Sequence, residues 1–252
     1  MFSSTFSNKI FLITGASSGI GKELSIYLSK LGATLIITAR DKSRLNETFN
    51  LLNGKGHRQF SIDISIPSKI SNLMNNIYSE CGQLDGLVHC AGEHHTMPVQ
   101  MISEESYDKL FNINTKSALF LAKAFRKKGR CNPNGASIIF LSSAAALSGE
   151  AGISEYSASK LALEGFARSL ASELSKQKIR VNCIAPGVVR TEMTENSLHA
   201  LTPEQFLKIQ NRHLLGIGKI EDVIGPIVFL LSDYAKWITG VNLSVDGGYT
   251  LG

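Results

Sequence analysis

Short apolar runs rich in β-branched residues alternate along the chain with longer stretches whose apolar positions recur every three or four residues. The runs are IFLIT (10–14), TLIIT (34–38), RQFSI (58–62), LDGLVHC (84–90), ASIIFLS (136–142), IRVNCIA (179–185) and VNLSV (241–245). Most are continuously apolar rather than alternating. That pattern fits strands of a parallel sheet buried on both faces, with helices as crossovers. Right-handed crossovers then wind the helices onto both faces. No repeat, low-complexity tract or Pro/Gly-rich linker divides the chain. The expectation is an α/β fold of one domain, residues 1–252, doubly wound around a mainly parallel seven-stranded sheet flanked by helices.

Two stretches stand out against this background. In FLITGASSGIGKEL a strand runs into Gly15, Gly19 and Gly21 and then into a helix. Glycines allow a tight turn and close backbone approach, and a helix N-terminus offers N–H groups to a diphosphate. The second is EYSASK, residues 155–160, at the start of a helix. Leu163, Phe166, Ala167, Leu170 and Leu174 form its buried stripe, while Ser172 and Glu173 face solvent. Tyr156 and Lys160 are four residues apart, about one helical turn, so both can lie on one face.

Composition narrows the function. Of 252 residues 43% are hydrophobic and 19% charged, which suits a globular core. The net charge of +5 marks a mildly basic protein. Its densest basic run, RKKGR at 126–130, is too short to argue for nucleic acid. No run approaches the ~20 apolar residues of a membrane span. The four cysteines, at 81, 90, 131 and 183, form no metal-ligating spacing and read as reduced thiols of a cytoplasmic protein. Cys90 and Cys183 fall in apolar runs and are expected to be buried. The adjacent His94 and His95 lack an accompanying carboxylate cluster, so no metal site is expected.

The motifs in order resemble the short-chain dehydrogenase/reductase family, in its branch of about 250 residues. Thr14-Gly15-Ala16-Ser17-Ser18-Gly19-Ile20-Gly21 matches its cofactor motif. Asp63, followed by Ile64, matches the position that holds the adenine ring. His89-Cys90-Ala91-Gly92 matches its N-N-A-G segment, with His89 and Cys90 in place of two asparagines. Asn114, Ser143, Tyr156 and Lys160 match its catalytic residues. Asn182–Thr191 matches the P-G stretch beside the nicotinamide, and Val245–Gly248 the C-terminal signature. The resemblance runs essentially end to end. It implies a Rossmann-like fold and a nicotinamide cofactor contacted by Gly15, Ser17, Ser18, Gly19, Ile20, Gly21, Arg40, Asp63, Ile64, Ala91, Gly92, Tyr156, Lys160, Pro186, Gly187, Val189 and Thr191.

Ala39 stands where NAD-dependent members carry a selecting Asp. Arg40 follows, where NADP-dependent members carry a base, and a guanidinium suits a 2′-phosphate. NADP(H) is therefore expected ahead of NAD(H). Carbonyl reduction needs a proton for the growing alkoxide. Tyr156 would donate it, Lys160 would lower the phenol pKa, Ser143 would polarise the carbonyl, and Asn114 would brace a proton-relaying water. Ser142 is the adjacent alternative to Ser143, which the spacing to tyrosine favours. Residues 191–215, partly apolar, occupy the place of the family's mobile substrate lid, with a helix expected from Thr202-Pro203-Glu204-Gln205. Within the family the chain resembles 3-oxoacyl-[acyl-carrier-protein] reductases, for which a basic rim of Arg126, Lys127, Lys128, Arg130, Lys176 and Lys178 would suit an acidic carrier. A reductase of another small ketone, sterol or sugar-derived substrate is the alternative. A non-catalytic NADP-binding regulator is the alternative of another class. The resemblance also implies a homotetramer, or a homodimer, packed through the Tyr156 helix.

Overall fold

The computed structural model describes residues 6–192, 194, 195 and 202–251. All seven expected strands form, and all join one sheet in the order β3-β2-β1-β4-β5-β6-β7. They are β1 (Ile10–Thr14), β2 (Thr34–Ala39), β3 (Arg58–Ser61), β4 (Gly86–His89), β5 (Ala136–Leu141), β6 (Ile179–Pro186) and β7 (Asn242–Val245). Every pairing is parallel. β4 is shorter than the apolar run that predicted it; Leu84 makes only an isolated bridge to Cys131.

The continuous apolar runs split by the period of two. On β1, Leu12 joins one core cluster, while Phe11 and Ile13 join the other. The Leu12 face is covered by α3 (Pro67–Cys81), α5 (Ser117–Phe125) and α6 (Ser154–Leu174). The opposite face is covered by α1 (Gly19–Lys30), α2 (Lys42–Asn50) and α8 (Ile220–Leu231). On α6, Leu163, Ala167 and Leu174 are buried and Phe166 and Leu170 partly so. Ser172, Glu173, Ala158 and Gly165 face outward.

Between α4 (Glu104–Phe111) and α5 the helix passes through a π-helical turn, Asn112–Lys116. Such turns carry one extra residue and re-aim side chains, and they recur at functional sites. Here the turn buries Asn114 completely and points it back toward the end of β4.

His89, which replaces an asparagine of the family segment, is a buried brace. Ala91 N–H donates to Thr14 Oγ1 (3.2 Å), and Thr14 Oγ1 lies 2.9 Å from His89 Nδ1. His89 Nε2 lies 3.1 Å from Ser117 Oγ, which donates to the Ile113 carbonyl (2.5 Å). A neutral ring protonated on Nε2 satisfies every member of this chain. Burial pushes its pKa down to about 3, with the nearby Lys160 charge adding to the effect. Cys183 is buried as expected, but Cys90 is only half-buried because it lines the crevice described below.

The His89 pKa fixes a pH dependence. The unfolded chain takes up a proton near the ordinary value of ~6.5, the folded one only near 3, so stability falls as pH drops through that window. The melting temperature should therefore decline between pH 6.5 and 3.5, and decline less steeply in His89→Asn. Parallel slopes in the two proteins would contradict a neutral buried ring.

Candidate active site

Strands β1 and β4 are neighbours, but the chain leaves them in opposite directions. After β1 it crosses to α1 on one face; after β4 it crosses to α4 and α5 on the other. A crevice opens outside the carboxyl ends where the order reverses. It is a cavity of ≈ 440 Å³. Of the expected site residues, Gly15, Ser17, Ser18, Gly19, Ile20, Gly21, Arg40, Ile64, Ala91, Gly92, Ser143, Tyr156, Lys160, Pro186, Gly187, Val189 and Thr191 all line it. Asn114 stands directly behind the wall. Asp63 is not in the lining: Ser65 N–H and Ser65 Oγ both donate to its carboxylate, at 2.9 and 2.7 Å. Burial raises the Asp63 pKa, but those bonds and the charges of Arg40 and Lys69 outweigh it and the net shift is downward.

The phosphate end is shaped by backbone proximity. Gly15 has φ +66°, and a Cβ there would sit 2.7 Å from the Ala91 backbone. A Cβ on Gly21 would meet the Gly15 carbonyl oxygen at 2.4 Å. Ser18 caps α1 without a side-chain bond, and no acidic residue stands in the first turn. The first N–H groups of α1 thus remain available to an anion, in the partial positive charge of the helix end. The cradle fits a diphosphate.

At the other end three side chains converge. Lys160 Nζ donates to the Leu141 carbonyl (2.9 Å) and lies 5.9 Å from the Tyr156 ring centroid. Burial pushes the Lys160 pKa down to about 8. The nearby Cys90 and Cys183 thiols are each pushed up to about 12 by burial, so neither supplies a counter-charge near neutrality. Burial also raises the Tyr156 pKa, and a hydrogen bond with Ser143 works against that rise. Ser143 further accepts from Ala145 N–H (3.2 Å). Ser142 instead turns to α6, donating to the Lys160 carbonyl (3.1 Å), so Ser143 is the serine that faces the phenol. Asn114 Nδ2 donates to the Glu93 carbonyl and to Ser159 Oγ, both at 3.0 Å. Its Oδ1 accepts from Glu93 N–H (2.8 Å). A Cβ on Gly92 would fall 3.0 Å from Asn114 Oδ1 and 3.1 Å from Lys160 Nζ, which places the two around one point.

Several contributors were not anticipated. His94 stacks edge-on against Tyr156, ring centroids 4.5 Å apart, and burial lowers its pKa. His95 faces the buried carboxylate of Glu155 at 3.3 Å, so the two imidazoles project to different partners. Their position just after Ala91-Gly92, at the carboxyl edge of β4, was the available signal. His213 receives the Val188 N–H on Nε2 (3.0 Å), tying the end of α7 (Pro203–Arg212) to the segment after β6. α7 begins as expected, Gln205 N–H donating to Thr202 Oγ1 (3.2 Å) and Thr202 N–H to Gln205 Oε1 (2.9 Å). Residues 193 and 196–201 of the expected lid, with Leu198 and Leu201, lie outside the described residues.

The expected basic rim is misplaced for this site. Arg126, Lys127 and Lys128 precede β5, and Lys176 and Lys178 precede β6, so all lie toward the amino ends of the strands. The crevice opens at the carboxyl ends, about 20 Å away for a six-residue strand. Arg130 is buried and donates to the Ala124 carbonyl (3.1 Å) and to Asn75.

Residues 15–250 match the family model described as enoyl-(acyl carrier protein) reductase. The chain belongs to the short-chain dehydrogenase/reductase family. As such it is an NAD(P)-dependent oxidoreductase acting on CH–OH/C=O groups. It is 34% identical over 250 residues to the 3-oxoacyl-[acyl-carrier-protein] reductase FabG of Salmonella typhimurium, covering 97% of this chain and 98% of that one. It is 33% identical over 258 residues to the hydroxynaphthalene reductase-like protein Arp2 of Metarhizium acridum, covering 97% and 96%. A short-chain type dehydrogenase/reductase from Mycobacterium ulcerans superposes with a TM-score of 0.89 at 27% identity, covering 98% and 91%. Among the described residues no helix is long and apolar enough to cross a membrane.

The packing at Gly21 predicts that Gly21→Ala fails to bind nicotinamide nucleotide and is destabilised by about 2 kcal/mol or more, since the methyl must displace backbone. A thermal melt with a nucleotide titration reads both effects. Wild-type affinity would show that the turn relaxes around a Cβ.

Proposed function

We propose that this reductase converts a carbonyl to a secondary alcohol with NADPH as the donor and Tyr156 as the general acid. The observation that carries the reading is the convergence of Ser143, Tyr156 and Lys160 on the cleft that also holds the glycine cradle. Bound nicotinamide supplies the hydride. The protein must then hold the carbonyl and deliver a proton to its oxygen.

Ser143 and Tyr156 present two hydroxyls from the end of β5 and the first turn of α6, and both donate toward a substrate oxygen. Burial without a charged neighbour would leave the phenol a reluctant acid in one direction and a useless base in the other. The Lys160 ammonium, one turn along α6, stabilises the phenolate left behind. Asn114 holds the Glu93 backbone from both sides and Ser159 besides, which fixes the wall near Lys160 where a relay to solvent would pass.

NADPH rather than NADH is supported by Arg40 in the cleft wall, with Ala39 in the preceding position. For the substrate, the names of relatives favour a 3-oxoacyl thioester; the basic residues near β5 and β6 do not support carrier docking beside the cleft. A small cyclic or aromatic ketone is the second reading, favoured by the half-buried His94 ring beside Tyr156. The outward Ala158 and Gly165 on α6, with exposed Leu161, offer a close-packing face for the expected homotetramer.

NADPH oxidation followed against acetoacetyl thioesters and a panel of free ketones, and repeated with NADH, tests these points. NADPH should be preferred, and faster turnover with NADH would remove the Arg40 argument. Tyr156→Phe should lose about 10²- to 10⁴-fold in kcat; unchanged turnover would sink the mechanism. The Lys160 ammonium is present below about pH 8 and lost above it, so kcat/KM for reduction should fall as pH rises through 8. A profile flat to pH 9.5 would contradict a role for that charge.

A further inference from the structure

In the cofactor cleft, Arg40 does not stand free to receive a phosphate. Its Nη2 donates to Glu93 Oε1 at 2.6 Å, and both residues line the cleft. Arg40 leaves the end of β2, and Glu93 follows Ala91-Gly92 at the end of β4. In the sheet β1 lies between those strands, so the pair reaches across the carboxyl end of β1, over the Gly15 turn. The Arg40 side chain is 55% exposed and that of Glu93 22%.

We propose that Glu93 is a specificity-determining residue: its carboxylate occupies the Arg40 guanidinium that a 2′-phosphate would use, and so weakens the protein's preference for 2′-phosphorylated nucleotide. The inference rests on the reading that Arg40 faces the 2′ position. Glu93 cannot withdraw by a shift of its loop, because Asn114 holds both its N–H (2.8 Å) and its carbonyl (3.0 Å). The side chain has to rotate away instead. Lys109 Nζ, 3.8 Å from Glu93 Oε2, is placed to receive it. The other charges around Arg40 are net negative. The Asp63 carboxylate is close enough to feel Arg40, and Asp41 is its chain neighbour. Arg44, also in the cleft wall, is itself paired with Glu192. A phosphate arriving at the 2′ position therefore exchanges one ion pair for another, and it meets a second negative charge while Glu93 remains. A nucleotide bearing only a 2′-hydroxyl asks far less of Arg40 and does not depend on this exchange.

The experiment measures binding of adenosine 2′,5′-bisphosphate and of AMP to the nucleotide-free, full-length protein by calorimetry at low salt. Wild type, Glu93→Gln, Arg40→Ala and the double variant are compared. Glu93→Gln keeps the side-chain size and the backbone that Asn114 grips. It should tighten the bisphosphate about three- to fivefold, the scale of one exposed ion pair, without tightening AMP. The gain should vanish in the Arg40→Ala background. An unchanged or weaker bisphosphate, or equal tightening of both ligands, overturns the inference. If Arg40→Ala lowers the ratio of bisphosphate to AMP affinity while Glu93→Gln leaves it alone, the Glu93 inference falls and the Arg40 reading stands. If Arg40→Ala leaves that ratio unchanged, both fall.

Discussion

The reversal of strand order between β1 and β4 is the constraint on which the rest of the molecule depends. Parallel neighbours whose crossovers leave toward opposite faces cannot have their carboxyl ends covered by helix on both sides. The gap there is a consequence of winding, and many of the residues lining it are delivered by the carboxyl end of a strand or the segment just after it. Gly15 comes from the end of β1, Arg40 from β2, Glu93 from β4, Ser143 from β5 and Pro186 from β6. Because the backbones at Gly15, Gly21 and Ala91 almost touch, the gap stays narrow enough to grip a ligand through main-chain groups.

Around that gap, the interior is more polar than its strands suggest. Thr14, His89 and Ser117 form one hydrogen-bonded chain between β1, β4 and α5, and Asn114 and Ser159 form another between β4, the π-helical turn and α6. Both are buried, and a buried polar chain with every member satisfied specifies a single arrangement. The first keeps its histidine neutral. The second holds Lys160 beside a wall that cannot drift. A half-neutralised lysine near pH 8 is the electrostatic outcome of its burial.

Much of this was legible in the chain. The seven runs became the seven strands within a residue or two; the five central ones lack alternation because they have no solvent face to offer, while the edge strands β3 and β7 carry exposed positions. Thr202, Pro203 and Gln205 announced a helix that begins with the expected reciprocal cap. The serine choice could be argued from spacing and is physically explained by Ser142 turning to the α6 backbone. Other features were not legible. Asp63 matched the position that holds the adenine ring, and only its geometry shows the carboxylate engaged locally by Ser65. The basic residues at 126–130 looked like a rim because their sequence distance from Ser143 is short, although β5 carries the chain from the amino end of the sheet to its carboxyl end.

The sequence by itself determined the class of element at each position, the glycine turn and the tyrosine–lysine pair, because these depend on local sterics and helical or strand periodicity. Tertiary structure alone decided which charges meet. Arg40 and Glu93 are 53 positions apart, His95 and Glu155 are brought together from a loop and a helix, and His89 finds Thr14 and Ser117 across three elements. Pairings of that kind follow from strand order and crossover hand, which no local pattern encodes, and they decide which polar groups face one another around the cleft.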